Sequence, residues 1–204
     1  MTKSSFKEAY DKIKSLFLNP TAEWVQIKKE SLKVNALIGR FLIPLLLLYF
    51  VFSLFGNVLF SNDIEHTAAY KLVFLFARFI YILTGFFMSF LILSKVYSKL
   101  GIGAKGETIF TLLFYCYLVV WVAAALMGLL ANYSMLMRFL HTLPLYGLFL
   151  FWVGSETLIS PSNDKKFSLY TWSFFILIAI YLLVFFMLKK TMSMFVLIYA
   201  VTQL

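Results

Sequence analysis

Four ionisable side chains stand inside long apolar runs of the chain: Arg40, Arg78, His141 and Glu156. If those runs cross a bilayer, each such group costs roughly 2.5–3.5 kcal/mol at the centre on insertion scales, and each needs a partner or a route to water. Their types suit two uses. Arg40 with Glu156, near one end of their runs, makes an ion pair, whereas Arg78 with His141, near the other end, lines a polar cavity or relay to which Asp63 and Glu65 add acidic partners. One account is therefore a polar cavity or relay at each side. The plainer account, and the preferred one, is snorkelling arginines with one structural ion pair.

Catalytic patterns are absent. A zinc protease needs His-Glu-x-x-His, but His66 and His141 are far apart in sequence, and an intramembrane aspartyl protease needs two Asp that the apolar runs do not contain. There is no Gly-x-Ser-x-Gly elbow and no Gly-rich Lys loop for phosphate. Gly101-x-Gly103-x-x-Gly106 matches the dinucleotide pattern in letters only, since no buried strand precedes it, and it reads as a flexible loop. No cofactor or metal site is expected, and the protein is read as non-enzymatic.

The elements that position these residues follow from composition. At 62% hydrophobic and 13% charged over 204 residues, with a mean hydropathy of +0.90, the chain lacks the polar residues needed to cover a soluble fold. One cysteine, Cys116, excludes a disulfide scaffold and reads as a small packing residue. A helix needs about 20 apolar residues to cross roughly 30 Å of hydrocarbon, and five segments qualify: about 37–60, 72–94, 108–131, 139–159 and 169–188. Breakers mark the connections at 61–63, 99–106, 132–134 and 160–164. The first apolar run starts too late and runs too long for a cleavable signal peptide.

Charge gives the sidedness. The net +9 is not spread as a nucleic-acid groove would require; twelve Lys lie in the N-terminal tail and the second and fourth connections, against Lys71, Arg138, Lys189 and Lys190 on the other side. The N-terminus is expected in the cytoplasm and the C-terminus outside. Lys189 and Lys190 sit on the disfavoured side, before an apolar stretch, 191–204, that is too short to cross comfortably and reads as an interfacial, re-entrant or protein-packed tail helix, with a sixth crossing as the alternative.

Residues 1–36 form a separate cytoplasmic or interfacial unit. Phe6, Ala9, Tyr10, Ile13, Leu16 and Phe17 recur at helical spacing, and Asn19-Pro20 opens a second helix carrying Trp24. Lys7, Lys12, Lys14, Trp24, Lys28 and Lys29 are the candidate membrane-surface or partner residues, at about 1 kcal/mol per basic residue near an anionic bilayer. The small-xxx-small pairs Gly85/Ser89 and Ala124/Gly128 suggest close helix approach, and Pro44 and Pro144 suggest kinks. Together these predict an all-α, polytopic membrane helical bundle: a five-span domain over 37–190, an amphipathic N-terminal segment and a short tail.

The order Pro20, Trp24, Ile27 and Glu30 before a first span with Pro44, then Phe114-Tyr115-Cys116-Tyr117-Leu118-Val119-Val120-Trp121, then Leu143-Pro144-Leu145-Tyr146-Gly147, Gly154 and Pro161, resembles the Yip family of Ypt/Rab-interacting-like membrane proteins in its bacterial branch. The family's span-three proline falls at Val119 here. The resemblance implies a five-span bundle in a bacterial inner membrane and no mechanism. Eukaryotic members are tied to Rab GTPases, but their acidic and Tyr-Gly-Pro elements are absent from this basic tail, so no Rab-binding residues carry over. The expected function is membrane organisation or scaffolding of a membrane complex, with lipid bilayer and other membrane proteins as partners; the alternative is a small permease or lipid-translocating protein.

Overall fold

A computed structural model describes residues 3–31, 33–59, 68–130 and 140–202, and the described residues are helical apart from short connections. The helices are α1 (Lys3–Leu18), α2 (Pro20–Glu30), α3 (Val34–Leu37), α4 (Ile43–Ser53), α5 (Ala68–Lys99), α6 (Gly106–Leu129), α7 (Leu143–Leu158) and α8 (Asn163–Thr202). Four runs are long and apolar enough to cross a membrane: Val34–Gly56, Lys71–Lys99, Gly106–Leu129 and Asn163–Phe195. The protein is a helical bundle of membrane character. Asp63, Glu65, His66 and Arg138, with the connections at 61–63 and 132–134, lie outside the described residues.

α6 is the pillar of the bundle. Of its apolar window 72% is buried by the other helices, against 22% for α5 and for α8, whose remaining apolar faces point outward. Hydrophobicity does not drive helices together in lipid, so close backbone approach has to, and small residues supply it. Gly128 of α6 has room for no side chain, because a Cβ there meets Ser53 of α4, its Cα at 2.9 Å. Gly147 of α7 lies against the Cys116 carbonyl, 3.1 Å from the place of its Cβ. The two sequence pairs are used in different directions: Gly128 turns to α4, while Gly85 of α5 faces Val184 of α8 and Ser89 donates to the Gly85 carbonyl.

Two prolines act as their positions require. Pro44 lacks the N–H that would close an ordinary turn onto residue 40, and the chain widens into a π turn over Ile38–Leu42, in which Ile43 donates to the Ile38 carbonyl. Pro144 does not kink a span. It stands in the first turn of α7, where a missing N–H costs nothing, so the helix begins at Leu143 rather than near 139.

The C-terminal stretch is helical and joined to the span before it. Residues 191–202 continue α8 without a break at Lys189-Lys190, because nothing there interrupts helical hydrogen bonding. At 40 residues α8 is about 60 Å long, twice the hydrocarbon thickness.

At the opposite end α1 and α2 pack onto the bundle. Asn19 caps α2 by accepting from the Ala22 N–H, with Pro20 in the first turn, as the sequence predicts. Leu16, Trp24 and Ile27 are buried. Tyr146 of α7 stacks on Phe17 at 5.0 Å and donates to the carbonyls of Leu16 and Phe17, while Lys28 donates to the Thr157 carbonyl at 2.6 Å. Lys12 is buried between Glu23 at 2.8 Å and Glu30 at 2.7 Å, clasping α1 to α2.

Candidate functional site

α5, α6, α7 and α8 enclose a cleft. α8 leans along α5, joined by Tyr97–Ser173 and Tyr81–Thr191 hydroxyl bonds of 2.7 Å, while α7 packs on the far side of α6. At one end α7 and α8 meet: Phe151 packs on Phe174 with ring centroids 6.2 Å apart, and Glu156 accepts from Tyr170 at 2.7 Å and pairs with Lys166 at 3.2 Å. Beyond that closure the two helices splay. The cleft between them has a volume of about 850 Å³, within the range of drug-sized ligand sites.

Its walls are apolar along most of their length, including Leu113 and Val120 of α6, Leu148 of α7 and Leu177 of α8. The splayed end differs. Arg78, His141 and Lys189 line it together with Tyr81 and Ser193, and among the described residues no lining residue is acidic. Arg78 donates to the Met127 sulfur at 3.2 Å, and among the described residues no carboxylate lies within ion-pair distance of it. The helix crossings fix the relative depth of the three side chains. Arg78 is level with Met127, Tyr81 with Thr191, and Gly147 with Cys116. At 1.5 Å per residue, Lys189 and His141 are each offset along the bundle axis by about 7–8 Å from the level of Arg78, toward the closed end.

The sequence-derived pairs fare differently. Arg78 and His141 do share one site. The Arg40–Glu156 pair does not form: Glu156 is exposed and taken by Tyr170 and Lys166 from the start of α8, and Arg40 is exposed in the π turn. Among the candidate surface residues, Lys7, Lys14, Lys28 and Lys29 are exposed, whereas Lys12 and Trp24 are buried. Tyr10, placed on the apolar face by spacing, is 63% exposed, because α1 packs through Leu16 and Phe17 instead.

Lys189, which charge counting did not group with Arg78 and His141, lines the same cleft. Its location on the disfavoured side was the signal, since a cation placed against the sidedness rule needs some other use. Gly101-x-Gly103-x-x-Gly106 is a connection: Gly101 takes φ +63 at the end of α5 and its carbonyl accepts from Lys165 at 2.6 Å. Among the described residues no three His, Cys, Asp or Glu side chains gather as a metal site.

Several residues of the Yip-like pattern meet at one point. Trp24 lies edge-on to Tyr115 with centroids 5.8 Å apart and covers Gly154, where a Cβ would fall 2.5 Å from the indole. Of the others, Pro20 opens α2, Glu30 holds Lys12, Pro144 opens α7, Gly147 meets α6, Trp121 is buried against Phe79 and Pro161 lies in the connection to α8. No family model, curated protein or solved structure matches the chain.

Proposed function

We propose that the protein is a non-catalytic, multi-pass membrane protein of the Yip kind that handles membrane lipid through the cleft between α7 and α8, crossing a bacterial inner membrane five times with its N-terminus in the cytoplasm. The observation that carries the lipid reading is the cleft, apolar along its walls and polar only where the helices splay. A groove of that character within a bundle suits an amphiphile and offers a soluble substrate little to bind. The fifth crossing draws on α7, whose 16 residues span about 24 Å and lie antiparallel along α6, Gly147 at Cys116 and Gly154 at Leu112. A local thinning of the bilayer accommodates so short a helix at modest cost.

The experiment is to purify the protein in mild detergent and count co-purifying lipid. Leu148→Trp, which fills the cleft from the α7 side, is expected to lower the count while the protein stays folded by thermal unfolding. An unchanged count overturns the reading. Scaffolding is the second reading, favoured by the exposed Tyr10, Lys14 and Leu18 on α1. A membrane protein that co-purifies through residues 1–31 and is lost with Tyr10→Ser and Leu18→Ser supports it.

A further inference from the structure

We infer that the splayed end of the cleft is an anion site, and that the occupant is an anionic phospholipid whose phosphate lies among Arg78, His141 and Lys189 while one acyl chain runs along α6 toward Leu113. The inference rests on the lipid-handling reading and adds the identity of the headgroup.

Charge carries it first. Arg78, His141 and Lys189, from three separate segments, line one end of a cleft that has no acidic lining residue among the described residues. Among the described residues the hydrogen-bond partner of the Arg78 guanidinium is a thioether sulfur, a weak acceptor that does not neutralise it in an apolar setting. An arginine is the side chain best suited to a phosphate, through paired N–H donors, and Lys189 adds a mobile ammonium. Zwitterionic headgroups carry their own cation and would bring it beside those of Arg78 and Lys189.

Length carries it next. From the level of Met127, where Arg78 sits, down to Leu113 is about 21 Å along α6. One leaflet of hydrocarbon is about 15 Å deep, so the cleft takes the full length of one acyl chain below a headgroup held at its mouth. Lys189 and Arg78 also share a leaflet, as a single headgroup requires.

The test exchanges the purified, full-length protein into mixed micelles of phosphatidylglycerol and phosphatidylcholine in equal amounts, then quantifies the lipid retained. Wild type is expected to retain phosphatidylglycerol preferentially, Arg78→Gln to lose that preference by about tenfold, and Arg78→Lys to keep most of it. Lys189→Gln changes an exposed side chain, so it reports even where Arg78→Gln fails to fold, and it is expected to weaken the preference too. Lys14→Gln with Lys29→Gln, on the N-terminal unit, is expected to leave it unchanged. Equal retention of both lipids, still lost in Leu148→Trp, overturns the anionic assignment and leaves the lipid reading standing. No retained lipid overturns both. A preference that follows Lys14 and Lys29 rather than Arg78 and Lys189 overturns the inference and returns the charge effect to the tail.

Discussion

Trp24 shows how one side chain settles the role of a whole segment. Spacing put it among residues for a membrane surface or a partner, yet its indole is fully covered by Gly154, Leu112 and Tyr115. Removing it is expected to cost about 3–5 kcal/mol, as for other buried aromatics. Gly154→Val, which forces a side chain into the same space, is expected to cost about 1–3 kcal/mol; equilibrium unfolding in detergent measures both. Lys12 makes the same point with charge. It is buried between two carboxylates, so Lys12→Ala leaves Glu23 and Glu30 facing each other and is expected to destabilise by about 3 kcal/mol, while Lys12→Arg is largely tolerated. Lys14, exposed on the same helix, is expected to tolerate Ala within about 0.5 kcal/mol.

At the scale of elements, α8 departs furthest from the sequence reading. The pair Lys189-Lys190 looked like a boundary, but lysine is a good helix former and only a glycine or proline would have ended the run. Thr191→Pro separates the two descriptions. Were a new helix to start at Thr191, proline would sit in its first turn at no cost, as Pro20 and Pro144 do in theirs. Inside a continuous α8 it removes a backbone hydrogen bond and the Tyr81 contact, and unfolding is expected to show a loss of about 3 kcal/mol. Helix existence, the Asn19-Pro20 start and the close approach at Gly128 were all legible, because caps, apolar length and small residues act locally. Partners across the bundle were not. Glu156 was assigned to Arg40 on shared depth alone, and depth does not say which helix face a residue occupies; the short turn into α8 brings Tyr170 and Lys166 closer. Arg78 and His141, grouped by depth, both line the cleft, whereas Lys189 was not grouped with them because the lean of α8 along α5 was not legible.

For the whole molecule, the sidedness read from charge and the lean of α8 combine into one arrangement. α1 and α2 close one end over Gly154, the end that the proposed topology puts in the cytoplasm; the Glu156–Tyr170–Lys166 contacts hold α7 to α8 just below, and the bundle opens toward the far side, where Arg78, His141 and Lys189 stand. A C-terminal alkaline phosphatase fusion is accordingly expected to be active and a green fluorescent protein fusion dark; the reverse overturns the topology. The cleft itself is tested most directly by photo-crosslinking in vesicles, using a phospholipid with a diazirine along one acyl chain and mapping the labelled peptides. Labels concentrated at Leu113 to Val120, Leu145 to Leu148 and Leu177 to Val184, and lost from all three in Leu148→Trp, are the result predicted. Labels confined to the outward faces of α5 and α8, at Phe76, Ile80, Phe175 and Phe186, and unchanged by Leu148→Trp, would contradict it.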